Sequence, residues 1–316
     1  MTGLDLRRRR LAVGTMLSVV AAVYAAFPPR PGRVLLDEQA FADTVDRMRA
    51  GTGYYDATAA AFAQRDTALG SIGGFRMPTP FLVWRWLPED ALWGIFVVGV
   101  VLVTTWLMLW MTRYPLVVAP ITLYLLWVSH GEFESWLHPE WWVLPLIAGA
   151  LLAHQRDRPV LAAALAAGAC GVREIAFLLV IGGLIDSWHR RRAVAAWVVA
   201  AAAALVAFAI HALLAAGHVA EQSGEMGRLG TGEFPRTVLT MAGFRLPLVI
   251  GAAIWLASFV ALRRRGQLLY VGPLALLPLA GVLVNRPYWG IVVTPLFLLW
   301  SLDSWPTGWP DGERPN

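Results

Sequence analysis

A chain of 316 residues that is 58% hydrophobic and only 15% charged has too little polar surface to cover a soluble domain of that size. Its mean hydropathy of +0.57 and its 16 Trp, a residue that concentrates at membrane–water interfaces, point to a polytopic membrane protein. All 26 basic residues are Arg, which reads as coding bias. The pI near 9.9 does not argue for nucleic acid, because the Arg clusters sit at the ends of apolar runs. The single Cys170 lies inside an apolar segment, which rules out an internal disulfide framework and a Cys-based zinc site.

Arg7–Arg10 precede the apolar run Leu11–Phe27. A signal peptide with a small-residue site near Val23-Tyr24-Ala25 is one reading. An uncleaved anchor with its N-terminus inside is preferred, because further spans follow. Those spans are expected at 91–112, 115–129, 140–154, 160–172, 175–188, 193–214, 246–262, 267–284 and 289–302, about ten in all with the first. With the N-terminus inside, the inner side holds 14 Arg against 6 acids, and the outer side 12 Arg against 15 acids. That asymmetry follows the positive-inside rule. The expected fold is an all-α polytopic membrane protein, one integral membrane domain over 1–316, placed in the cytoplasmic membrane.

The inner connectors "TRYP", "HQRDRP", "HRRRA" and "RRRGQ" are too short to form a catalytic domain, and no Gly-rich phosphate loop occurs. The polar mass is outside: a first loop over 28–90, then Ser129–Trp142, Gly217–Arg245 and the corner Asn285–Trp289. In the first loop Leu36, Ala40, Phe41, Val45 and Met48 recur at helical spacing up to Gly51. They predict an amphipathic interfacial helix. A second short helix is expected around Ala57–Gln64. "PTPFLVWRWLP" (Pro78–Pro88), with Pro at both ends and Trp-Arg-Trp within, reads as an interfacial or re-entrant piece.

Several side chains carry two readings. Asp37 and Glu38 open the amphipathic helix, where a carboxylate caps the helix and meets its dipole, or serves chemistry with a partner on the same side. Glu132 and Glu134, in a loop with His130 and His138, are solvated loop residues or ligands. Arg173-Glu174 interrupts an apolar run, which is costly unless the pair closes on itself or lines a wet cavity. Arg286 and Tyr288 in the last outer corner, and Arg76 before Pro-Thr-Pro, are interfacial anchors or phosphate contacts. The Gly51–Asp56 turn ends one helix and presents Tyr54 and Tyr55, two rings of the kind a sugar site uses. His211 and His218 have no metal-ligand spacing with each other.

The chain resembles the GT-C superfamily of integral-membrane glycosyltransferases, which use polyprenyl-phosphate sugars. "LLDEQAFADTV", "AGTGYYDA" and "RMPTPF" carry the likeness in the first loop. The stretch "EFESWLHPEWWVLPLIAGALLAHQRDRPVLAAALAAGACGVREIAFLLV" carries the second part of it. The Gly-Tyr-Tyr signature looks most like bacterial proteins of cell-surface glycopolymer formation. The resemblance covers 7–188 well and the last third in hydropathy only. It implies Asp37 as general base, with Glu38 a close rival, and Glu132 or Glu134 positioning acceptor or donor. It also implies Arg173 or Arg286 neutralising the phosphate leaving group, with Tyr54, Tyr55, Arg76, His138, Glu174 and Tyr288 completing the substrate site. The implied donor is a polyprenyl-phosphate sugar, and the implied acceptor a glycan or glycolipid, used on the extracytoplasmic face. The chain is short for the superfamily and lacks Asp-x-Asp, so no obligatory metal or other cofactor is expected. The rival readings are a flippase for lipid-linked sugars and a non-catalytic subunit of an envelope assembly complex.

Overall fold

The structure, a computed structural model, describes residues 36–64, 74–88, 139–219 and 266–275, with scattered positions at 69, 90–99, 137 and 257–263. The first apolar run, the spans expected at 115–129 and 289–302, and most of those at 91–112 and 246–262 lie outside the described residues. All the regular structure described is helical: α1 Leu36–Arg49, α2 Tyr54–Ala63, α3 Thr79–Trp84, α4 Pro139–Gln155, α5 Pro159–Val172, a 3-10 turn Glu174–Ala176, α6 Phe177–Arg190, α7 Val194–Ala216 and α8 Leu268–Ala275.

α1 forms where the apolar spacing predicts it. Ala40, Phe41, Val45 and Met48 are buried, and Asp37 and Glu38 lie in its first turn, where acids favour the helix dipole. It stops at Gly51, whose φ of 98° is left-handed backbone that glycine adopts without a Cβ penalty. The amides of Gly51 and Thr52 bond back to Met48 and Arg47 carbonyls at 3.1 and 3.0 Å, a Schellman closure. The apolar face of α1 is covered by protein. Phe41 meets the rings of Phe62 and Phe81 edge-on at 5.8 and 5.5 Å, so this face does not need lipid to cover it. Trp84 carries the same small core to α4 through Trp142, 5.8 Å between centroids.

α4 to α7 run up and down as a bundle. The turns between them are tight because Asp157 and Arg191 take left-handed backbone, φ 54° and 53°. The amides of Arg158 and Arg192 then bond back to Ala153 and Ser187 carbonyls at 2.9 and 3.0 Å. Small side chains set the spacing: Ala162, Ala163, Ala166 and Ala169 of α5 are buried, which lets backbones approach closely. Gly182 and Gly183 of α6 are more stringent. A Cβ on the first would stand 2.0 Å from the Tyr270 carbonyl oxygen of α8, and on the second 2.2 Å from the Trp197 ring of α7. Among the described residues one helix, Val194–Ala216, is long and apolar enough to cross a membrane. It buries Trp197, Ala200, Ala204, His211 and Ala215 and leaves Val199, Leu205, Val206, Ile210 and Leu213 exposed.

The bundle therefore has two ends. One carries the Arg-rich turns and the start of α8. The other carries Arg173, the close of α7 and the packed α1–α3 loop.

Candidate functional site

The loop end gathers polar side chains from three stretches of sequence. α2 begins directly after the Gly51–Gly53 turn, so its first residues, Tyr54, Tyr55 and Asp56, face three ways. Tyr54 is buried between Tyr55 and Phe81, 5.0 and 5.1 Å between centroids, and its hydroxyl donates to the Arg76 carbonyl at 2.6 Å. That bond holds the Phe75–Met77 segment against α2. Burial pushes the Tyr54 phenol well above its ordinary value, while Thr58 and the Arg76 guanidinium pull it down and Tyr55 and Glu174 add to the rise. Arg76 itself is buried, its guanidinium 5.9 Å from the Phe41 ring centroid.

Tyr55 is half-open and meets α7. Its hydroxyl and His211 Nδ1 share a hydrogen bond of 3.0 Å, and its ring lies against His211 and His218 at 5.7 and 5.8 Å. Partial burial raises its phenol as well. Next to it, Asp56 Oδ1 pairs with His218 Nε2 at 3.0 Å, while His218 Nδ1 faces the Leu214 carbonyl at 3.0 Å.

Arg173 ends α5 in an extended conformation, φ −150° and ψ 122°, which breaks the helix and lets Glu174 start the 3-10 turn. The guanidinium is wholly buried and bonded to the Glu174 carboxylate, which stays 37% exposed. Of the two readings open for this pair, internal closure is what the geometry gives Arg173. Glu174 is the member that reaches the open side, and its charge acts on Tyr54.

Of the residues singled out from sequence, Tyr54, Tyr55 and Arg76 are in contact, and Arg173 and Glu174 close on each other at the same end of the bundle. Asp37 and Glu38 are placed by backbone only, at the start of α1. Glu132, Glu134, His138, Arg286 and Tyr288 lie outside the described residues. His211, His218 and Asp56 belong to the cluster without having been picked for it. The signal available was the seven-residue spacing of the two His, one on an otherwise apolar helix and one just past its end.

Comparison with known proteins supplies no parallel. No family model, curated protein or solved structure matches this chain. Among the described residues no group of three or more His, Cys, Asp or Glu is placed to hold a metal ion, and Cys170 is a buried free thiol. The arrangement can present an aromatic face, a carboxylate held by a buried cation, and a paired acid and imidazole, all beside the end of the membrane-length helix.

Proposed function

We propose that this chain is a multi-pass membrane glycosyltransferase of GT-C type. It moves a sugar from a polyprenyl-phosphate donor to a cell-envelope glycan or glycolipid acceptor on the extracytoplasmic face of the cytoplasmic membrane. The observation that supports the reading is that one end of the bundle holds Tyr54 bonded to the Arg76 carbonyl, Tyr55 bonded to His211 where α7 closes, and the Arg173–Glu174 pair where α5 closes.

In this reading the Asp37 carboxylate takes the proton of an acceptor hydroxyl as that oxygen bonds the anomeric carbon. The bond from the anomeric carbon to the phosphate oxygen breaks, polyprenyl phosphate leaves with the electron pair, and the anomeric centre inverts. Tyr55 offers its ring face to the sugar, and Glu174 accepts a hydrogen bond from a sugar hydroxyl. Arg173, buried behind Glu174, positions that carboxylate rather than meeting the phosphate. The phosphate then falls to Arg286, and acceptor placement to Glu132 or Glu134.

The test is reconstitution of the full chain in liposomes with a panel of synthetic polyprenyl-phosphate hexoses and pentoses and a glycolipid acceptor extract. Released polyprenyl phosphate is the readout. One donor is expected to turn over, and Asp37→Asn should lower release about 10²–10⁴-fold while the melting temperature holds. Folded wild-type protein that releases no polyprenyl phosphate from any donor would overturn the reading. Donor crossing the bilayer without release would establish the flippase instead.

A further inference from the structure

The Pro78–Pro88 segment takes no part in the cluster, yet it is built for something. α3 is two-sided. Pro80, Phe81 and Trp84 are buried in the α1–α2 core, whereas Leu82, Val83 and Trp86 are 44%, 49% and 74% exposed. The Arg85 guanidinium lies over the Trp86 ring, 4.6 Å from its centroid, and its Nε has no hydrogen-bond partner among the described residues. The turn is held rigidly from behind, since Arg49 donates to the carbonyls of Leu87 and Trp84 at 2.7 and 3.4 Å. Its level in the molecule is fixed too. Thr79 Oγ1 stands 3.8 Å from where a Cβ on Gly171 would lie, so α3 sits beside the close of α5. That is the loop end, where α7 still exposes Ile210, Leu213 and Leu214.

We propose that Leu82, Val83, Arg85 and Trp86 form a foot seated in the lipid headgroup layer. The aliphatic pair and the indole enter the acyl boundary, and the Arg85 guanidinium meets lipid phosphate. Three features select lipid as the occupant. An indole with an adjoining guanidinium is the side-chain pair suited to the membrane–water boundary. The patch and the exposed apolar close of α7 lie at the same end of the bundle. The Arg85 Nε has no hydrogen-bond partner among the described residues, and an anionic headgroup can supply one. The foot fixes the height of α2, which is packed on α3 through Phe81, and so holds Tyr55 at the membrane surface, where a polyprenyl chain stays in the bilayer while its phosphate emerges. The inference rests on the membrane placement of α7 proposed above and not on sugar transfer.

The experiment uses the full chain with Cys170→Ser, in phosphatidylglycerol-containing liposomes. A spin label is placed by Leu82→Cys, Val83→Cys or Trp86→Cys, all exposed positions. Val206→Cys on α7 and Asp46→Cys on α1 serve as references. Collision rates with oxygen, which partitions into lipid, and with a water-soluble nickel chelate give the depth. Labels at 82, 83 and 86 should favour oxygen at shallow depth, label 206 should favour it more, and label 46 should favour nickel. Arg85→Gln should shift label 83 toward nickel. Foot labels that match position 46, or that are shielded from both reagents as under a covering protein, overturn the foot while label 206 in lipid leaves the membrane reading standing. Label 206 in water takes down both.

Discussion

The two ends of the helix bundle both bury an ionic group, but they use it differently. At the Arg-rich end Asp186 is almost wholly buried. It accepts from His154 Nε2 and Arg190 Nε at 2.9 Å each, with His154 stacked on Tyr270 at 4.0 Å. Arg190 continues to the Gly266 carbonyl at 2.6 Å, and Arg192 pairs with Asp157 at 3.0 Å. Apart from the Asp186–Arg190 pair within α6, these partners tie one helix end to another. At the loop end the buried member is a cation, Arg173, and its carboxylate partner looks outward. The Arg-rich end spends its charges on closing the fold, whereas the loop end leaves the Glu174 carboxylate and Asp56 partly or largely exposed. On the proposed reading, chemistry belongs to the loop end and stability to the other.

The sharpest way to break this contrast is to remove the buried ion at each end. Asp186→Ala leaves His154 and Arg190 facing each other beside an apolar wall and should cost about 3 kcal/mol, the lower part of the range for breaking a buried pair, because Arg190 is about half solvated. Arg173→Ala should cost less, about 2 kcal/mol, since the Glu174 left behind can turn to water. Thermal melts in detergent rank the two. A larger loss at Arg173 would put the structural load at the loop end and reverse the comparison.

A second lever is pH, and it acts on the loop end. The Tyr54 phenol is raised above its ordinary value of 10.0 by burial, so between that value and its folded-state value the folded chain holds a proton that the unfolded chain has lost. The stability this contributes is intact below about pH 10 and declines as pH rises further, by at most about 1.4 kcal/mol per pH unit for one group. Melts from pH 9 to 11 should fall along that slope, with tyrosinate absorbance appearing only as the protein unfolds. Tyr54→Phe should be less stable at pH 8, because the Arg76 carbonyl loses its donor, and should show a flatter decline above pH 10.

The helices were written plainly in the chain and the cluster was not. The segments expected as spans at 140–154, 160–172, 175–188 and 193–214 are helical as Pro139–Gln155, Pro159–Val172, Phe177–Arg190 and Val194–Ala216, and of these Val194–Ala216 is long and apolar enough to cross a membrane. Long apolar runs cut by Arg-rich turns leave the chain few alternatives. Gly51 ended α1 as a left-handed glycine does. The break at Arg173-Glu174 was visible as a charge pair in an apolar run, though which member would stay open to solvent depended on packing. His211 and His218 have no metal-ligand spacing with each other, and nothing near them in sequence points to a partner. Their partners Tyr55 and Asp56 lie 156 and 162 residues away. Asp186 was readable only as one inner acid among six, since burial against His154 is set by how α4 and α6 meet. The apolar face of α1 illustrates the same limit: its periodicity fixed which residues are buried, but whether protein or lipid buries them was decided by Phe62 and Phe81.

Two smaller substitutions sharpen the division at the loop end itself. Tyr55→Phe keeps the ring stack and removes only the hydroxyl bonded to His211, so it should cost about 1 kcal/mol. If Tyr55 meets the sugar through its ring, the variant keeps most of its polyprenyl phosphate release, and Tyr55→Leu loses far more. Asp56→Asn should do least. The Asp56 side chain is 70% exposed and His218 29%, so their attraction works largely through water and is worth a few tenths of a kcal/mol. Raising salt from 50 to 500 mM should erase even that difference between wild type and Asp56→Asn, because exposed pairs are screened. A stability loss above about 1 kcal/mol that persists in high salt would mean that Asp56 and His218 clamp α2 to α7. The loop end would then close the fold by the same means as the Arg-rich end.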